Sequence, residues 1–523
     1  MRETALRQRA EEALTRARAA TSACPGLAEL DAALTHAQAQ LDRPMTVAVV
    51  GRIKAGKSTM TNALLGQRLA ATGPIECTYN VNWFHYAETP SLTVHYRDGR
   101  SPEQRAPEEL EQLTRRAAES AEALAGIDYI DVRAHSPLLR RFSLVDTPGL
   151  DSAYVADSAN TAAFLGLHSA QISERTATEA RNADAVLYLF SRALAASGAS
   201  VVEEFAGPAF GRATPLNAIG VLTKVDANWR SAGDPLERGR KSAADWMREP
   251  ESRRLFFAIR PVCALVALGA QTLTEGEYDA LRALTALGDD ALRTALGAAR
   301  RFTAPKLAGV KVDAVLRGAL FERLGAYGIV LATGLLRKRK LTREALANEL
   351  YRASGMADLE DLVVSHFGNR ALLIKLERIV GELRALCLRE RGQRRGAELR
   401  AVLAVDDALD GLCVREHAFA ELAVLRRHYE GALDLDPGEI EELLRVTGES
   451  GTTTQERLGA EPGTSAEELV AIAARRVTHW ALRAQLGSTK ATLDAATTLR
   501  RSYERLAALA KSPPEAAAVG GPA

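Results

Sequence analysis

Gly51-Arg-Ile-Lys54-Ala55-Gly56-Lys57-Ser58 sets two glycines, a lysine and a hydroxyl at the G-x-x-x-x-G-K-S spacing of a phosphate-binding loop. The glycines let backbone wrap a phosphate with no Cβ in the way. Loop amides and the start of a helix then supply positive potential. Lys57 would bridge the β- and γ-phosphate oxygens, the Ser58 hydroxyl would ligate Mg²⁺, and Ala55 and Thr59 complete the nucleotide-contacting run. A chance loop before an ordinary helix carries similar letters. Here, though, an apolar, β-branched run (45–50) precedes the loop and an amphipathic stretch follows it.

Thr223-Lys224-Val225-Asp226, which closes the apolar run 219–222, reads as a solvated strand end by itself and, following the phosphate loop in this order, as the motif that reads the base. Guanine offers its N1–H and 2-amino group side by side, and one carboxylate, Asp226, accepts both. Adenine has no such pair, so the carboxylate would stay unpaired and penalise it. The Lys224 stem lies along the purine face. Between the two motifs stands Leu144-Val145-Asp146-Thr147-Pro148-Gly149, again at a strand end. Asp146 can hold Mg²⁺ through water and the Gly149 amide can sense a γ-phosphate, although a plain Pro-Gly turn reads the same way. Thr78, at the end of the loop 71–78, is the hydroxyl expected to complete the Mg²⁺ shell; Thr72 is its rival. The expected catalytic set is Lys54, Lys57 and Thr78, with Ser58, Thr78 and Asp146 around the metal.

Elements must position these residues. Apolar runs at 79–86, 92–96, 129–132, 142–145, 185–190, 219–222 and 257–263 read as strands, most of them separated by helical stretches. That alternation predicts an α/β domain with a mainly parallel sheet and helices on both faces. Before it, 1–43 reads as two helices broken at Pro25-Gly26. After about 305 the strand signal ends, and helical periodicity runs over 344–403, 414–433, 437–446, 465–485 and 488–511. The expected organisation is N-terminal helices 1–43, a GTPase domain 44–305, an elongated helical bundle 306–511 with helices of some 20 to 60 residues, and a disordered tail 512–523.

Composition narrows the class. The 523 residues carry 67 Lys+Arg against 66 Asp+Glu, a net charge of +1, which argues against a nucleic-acid coat. Five scattered Cys (24, 77, 263, 387, 413) show no metal or disulfide spacing and read as reduced cytosolic thiols. The N-terminus runs into a charged helix, so no secretory signal is expected. The longest uncharged run, 324–336, has 13 residues, short of the roughly 20 that span a bilayer. Arg337-Lys-Arg-Lys340 with Arg343 follows it, as a solvated helix end in preference to a lipid contact. His85 and His95 read as strand-face residues, and Trp229 either shields the base edge or packs.

Together the four nucleotide motifs resemble the dynamin superfamily of large GTPases, and Lys54-Ala-Gly-Lys-Ser58 resembles its bacterial branch. Gly73-Pro-Ile-Glu-Cys-Thr78 looks like that family's first switch. Leu324-Gly-Ala-Tyr-Gly-Ile329 and Ser354-Gly-Met-Ala-Asp-Leu359, through Phe367, Arg370-Ala371 and Lys375, look like the helical part of actinobacterial dynamin-like proteins. These include the mycobacterial isoniazid-inducible proteins and the Streptomyces sporulation dynamins. The resemblance implies a neck and trunk built from the helices and GTP-dependent self-association through GTPase domains. It also implies peripheral work on the inner face of a phospholipid membrane, in remodelling or fusion at the envelope or septum, and a paired dynamin-like protein as partner. GTP and GDP are substrate and product, with Mg²⁺ as cofactor. No Gln follows Asp146–Gly149 to orient water, as is common to dynamins. Lys54 stands where eukaryotic members carry a small polar residue, so it either supplies charge in cis or points to solvent. A pleckstrin-like lipid domain and a membrane-inserting loop are not evident, and the candidate tip 434–463 is acidic. Two other readings stay open: an RNA- or ribosome-associated GTPase, and a GTP-binding scaffold with little hydrolysis.

Overall fold

The computed structural model describes residues 2–51, 54–70, 81–114, 126–147, 183–191, 214–230, 233–487 and 489–511. The tail 512–523, expected to be disordered, lies outside them. The chain divides into two compact units, Pro44–Val363 and the pair of segments Met1–Arg43 and Val364–Ala523.

The first unit is built on β1 (Met45–Gly51), β2 (Val81–Tyr86), β3 (Ser91–Tyr96), β4 (Glu103–Arg105), β5 (Ile127–Ala134), β6 (Phe142–Asp146), β7 (Ala185–Ser191), β8 (Ala218–Thr223) and β9 (Ile259–Val262). They form one sheet in the order β4-β3-β5-β2-β6-β1-β7-β8-β9. From β6 to β9 every pairing is parallel. β1, β6 and β8 are buried along almost their whole length, which is why they read as unbroken apolar runs. β2 pairs antiparallel with β6, so its first residues lie at the same edge as the end of β6. Ligands of such sheets bind at the carboxyl ends of the parallel strands. The short edge strand β4 carries only exposed Glu, Gln and Arg and left no apolar signal.

The sheet-bearing unit does not stop at 305, where the strand signal fades. Helices in chain order are α1 (Arg2–Thr21), α2 (Ala28–Leu41), α3 (Lys57–Leu65), α4 (Pro235–Trp246), α5 (Ala264–Gln271), α6 (Ala314–Lys338), α7 (Arg343–Ala353) and α8 (Met356–Leu362). Cys263 donates its amide to the Ser354 carbonyl at 2.8 Å. A Cβ on Gly355 would lie 2.5 Å from the Pro261 carbonyl oxygen, and φ there is +79°. These backbone contacts place 306–363 with the sheet. α6 is broken at Gly325 (φ 66°, ψ 174°), a combination almost confined to glycine. Among the described residues this helix is long and apolar enough by composition to cross a membrane, but half of its apolar window is buried in the unit.

The second unit joins α1 and α2 to α9 (Ala371–Gln393), α10 (Gly396–Arg415), α11 (His417–Tyr429), α12 (Ala466–Leu486) and α13 (Lys490–Lys511), with shorter helices between. Leu6, Leu14, Leu30 and Leu34 share a core with Leu376, Leu383, Val405 and Leu409. The buried Lys375 donates to the carbonyls of Gln40 and Arg43, closing the end of α2. The stretch 344–403 is not one long helix. It breaks at Gly355, at a π-helical turn (Val363–Phe367) and at Gly396, where φ is +59°. The longest unbroken helix among the described residues is α9, with 23 residues, so the expected range up to 60 is too long.

Candidate functional site

The phosphate loop leaves β1 at Gly51, where a Cβ would meet the Leu189 carbonyl oxygen of β7 at 2.3 Å. Only a glycine permits that approach. Gly56 sits at φ 93° as the residue before α3, and nothing fills the space where its side chain would be. Lys57 is almost fully buried and donates to the Gly51 carbonyl at 3.2 Å, so its ammonium is folded back over the loop. The Thr223 hydroxyl donates to the Ala55 carbonyl at 2.6 Å and lies 3.2 Å from the Phe190 carbonyl. The base motif therefore braces the phosphate loop directly. Lys54 and Lys224 are the positive-φ non-glycine residues among those described, at 63° and 54°. Backbone strain of this kind concentrates at ligand sites.

Asp146 ends β6 with no exposure, and neither carboxylate oxygen completes a hydrogen bond. Burial pushes its pKa up to about 6, against the pull of Lys57 and the Ser58 and Thr61 hydroxyls. A buried carboxylate beside a P-loop hydroxyl, short of partners, fits a hydrated divalent cation. Among the described residues no cluster of three or more His, Cys, Asp or Glu could hold a metal by itself. Thr147, next in sequence, donates to the Val49 carbonyl at 2.9 Å and locks the strand end.

At the other end of the site, Asp226 is the second residue of a short 3₁₀ turn, Val225–Asn228. Burial raises its pKa, opposed by its own backbone amide and by Lys224. Lys224 in turn is lowered by burial and by the charge of Lys54, against Asp226. Lys54 is exposed, with its ammonium near enough to be felt at the base-reading end.

Some neighbours escaped the sequence reading. A methyl on Gly325 would lie 4.0 Å from the Asp226 carboxylate and 3.4 Å from Leu265, so the break in α6 fits against the base loop. Cys263, fully buried at the end of β9, has its thiol pKa pushed up by burial and by Asp226 and Asp234. Tyr327 donates to Asp234 at 2.7 Å. Asn82 is a buried polar residue in an apolar strand, which was the one available signal for it.

Thr78, its rival Thr72 and Gly149 lie outside the described residues. The structure brings Gly51, Lys54, Ala55, Gly56, Lys57, Ser58, Thr59, Asp146, Thr223, Lys224 and Asp226 to one edge of the sheet. Trp229, half-buried, packs on the core with Arg230 and Arg293 over its ring. His85 contacts Ser143 and Asp131, and His95 stacks on Tyr129, as strand-face residues do. In the basic run, Arg337 donates to Leu287 and Asp289, and Arg343 to Glu275 and Leu273.

A mainly parallel sheet with a lysine-bearing phosphate loop, a buried carboxylate at the end of β6 and a Thr-Lys-x-Asp motif at the end of β8 defines a P-loop GTPase. Residues 47–225 match the dynamin family. The isoniazid-induced protein IniC of Mycobacterium tuberculosis is 31% identical over 451 residues, 85% of this chain and 86% of that protein. Dynamin-like protein 2 of Campylobacter jejuni is 32% identical over 112 residues, 21% of this chain and 18% of that protein. Among solved structures, a bacterial dynamin of an oligomerised pair described as sensing and tethering membranes aligns over 92% of this chain and 87% of its own, with TM-score 0.33 and 13% identity. The chain belongs to the dynamin family and is a bacterial dynamin-like GTPase.

Proposed function

We propose that this GTPase turns over GTP with Mg²⁺, self-associates through its sheet-bearing unit, and works on the inner face of a phospholipid membrane to remodel or fuse it. The observation that carries the catalytic half is the meeting of Lys57, Asp146 and the Thr223-braced loop at one sheet edge. Bound Mg²⁺ supplies charge compensation at the phosphates. Ser58 and Thr78 would hold it with their hydroxyls, and Asp146 with its carboxylate through water. Lys57 holds the β- and γ-oxygens, Lys54 adds charge in cis, the Gly149 amide senses the γ-phosphate, and Asp226 accepts the guanine N–H groups. Membership of the dynamin family supports the membrane half, with a second copy or a paired dynamin-like protein as partner and no nucleic acid. The units proposed are a GTPase domain with its helical extension and a bundle of neck and trunk.

Phosphate release measured with and without Mg²⁺ and vesicles tests both halves. Turnover should need Mg²⁺, fall about a hundredfold or more in Lys57→Ala, and rise with anionic vesicles. Wild-type turnover in Lys57→Ala would remove the site. Indifference to vesicles, with flotation negative, would remove the membrane.

A further inference from the structure

Thr61 on α3 and Asn82 on β2 each lie beside Asp146 at the end of β6. Asn82 is the second residue of β2, fully buried, and the register partner of Asp146 across the antiparallel pair. Directly opposed residues project to the same face, with Cβ atoms about 4.5–5.5 Å apart. The Asn82 amide and the Asp146 carboxylate therefore share a face. On α3, Thr61 lies one turn after Ser58, and both hydroxyls are near enough to lower the Asp146 pKa without completing a hydrogen bond to its carboxylate. Thr61 too is fully buried.

None of their polar atoms is satisfied. The Thr61 hydroxyl, both ends of the Asn82 amide and both Asp146 oxygens are buried without a hydrogen-bond partner. Asn62, beside Thr61, shows what a structural asparagine does here. Its oxygen accepts from the amides of Leu69 at 2.9 Å and Ala70 at 2.7 Å, and its nitrogen donates to the Ala70 carbonyl at 2.8 Å. Orphaned buried polar atoms are costly, and native proteins keep few of them. Several around one carboxylate, beside a phosphate loop, call for a ligand that supplies the missing partners.

We infer that Thr61, Asn82 and Asp146 form a pocket for ordered water in the hydration shell of the nucleotide-bound divalent cation, with Asn82 as a positioning residue for that water. Magnesium retains several waters, and cation-bound water turns its hydrogens outward. It must then be met by acceptors. Asp146 brings two oxygens, Asn82 its Oδ1 and Thr61 its Oγ1, while Asn82 Nδ2 can donate back to the carboxylate through a second water. Such outer partners typically tune metal affinity by 10–100-fold.

This inference rests on the Mg²⁺–GTP reading above, and the test separates the two. Affinity for fluorescent GDP is measured over a Mg²⁺ titration, together with the thermal midpoint of nucleotide-free protein. In Asn82→Leu the Mg²⁺ affinity of the GDP complex should fall about tenfold or more. GDP affinity without Mg²⁺ should hold, and the nucleotide-free midpoint should stay level or rise, because two orphaned atoms are gone. Asn82→Thr, which keeps an acceptor, should recover part of the Mg²⁺ affinity. An unchanged Mg²⁺ titration in Asn82→Leu overturns this inference alone. So does a lowered midpoint with equal losses with and without Mg²⁺, which would make Asn82 structural. A wild-type protein whose GDP binding ignores Mg²⁺ overturns the cation reading and this inference together.

Discussion

Asp226, proposed above to read the base, is where one residue would convert burial into selectivity. Its carboxylate is raised by burial, so the nucleotide-free protein bears a desolvation cost that two guanine N–H donors would relieve. Asp226→Asn turns an acceptor pair into a mixed donor and acceptor, which suits xanthine. GTP should weaken by about a hundredfold, as lost charge-assisted hydrogen bonds imply, and XTP should gain. Competition of GTP and XTP against fluorescent GDP reads this. An undiminished preference for GTP would mean the base is recognised elsewhere. The residues legible in the sequence were those carried by short local motifs at strand ends: Gly51–Ser58, Asp146 and Thr223–Asp226. The supporting partners were not legible, because they depend on register and on distant chain segments. Thr223 braces Ala55 from 168 residues away, Gly325 reaches Asp226 only through a helix break, and Asn82 faces Asp146 only once β2 pairs with β6.

At the scale of elements, buried parallel strands announced themselves as apolar runs, and the observed β6 to β9 follow them within a residue or two. What failed were lengths set by tertiary contact. Gly355 ends a helix because its backbone meets Pro261, and no local pattern signals that. The π-helical turn Val363–Phe367 is a second such break, and it carries a buried charge network. His366 and Arg370 both reach Glu449, and Arg370 also donates to Thr447 Oγ1 at 3.2 Å. Burial pushes the Glu449 carboxyl up, but His366 and Arg370 outweigh it and hold the pKa below the ordinary value. A carboxylate lowered on folding stabilises above its unfolded value of about 4.3, and that contribution is lost as pH falls through the folded value. The thermal midpoint should therefore drop on acidification below about pH 4.3, more steeply than in Glu449→Gln. At neutral pH that variant should cost about 1–3 kcal/mol. Parallel acid limbs in the two proteins would show that the network is not acid-sensitive.

For the whole molecule, the question is whether the site is complete in one copy. A formal net charge of +1 sets no long-range repulsion between copies. In-line attack on the γ-phosphate builds charge toward the β–γ bridge, where a cation is worth most in a site closed to water. Lys54 is exposed on the loop, so its charge is screened until another surface covers that edge of the sheet. A second GTPase unit is the cover that dynamin membership supports. Specific activity should then climb with protein concentration, and GDP with aluminium fluoride should drive dimer formation in analytical ultracentrifugation. Lys54→Ala should lower turnover about tenfold or more, with or without potassium, and leave GDP affinity nearly unchanged. Activity flat over a wide range of concentration, with no analogue-induced dimer and normal turnover in Lys54→Ala, would make the site self-sufficient. Covering the site would then have no part in the chemistry, and any assembly on a membrane would have to draw on nucleotide binding alone.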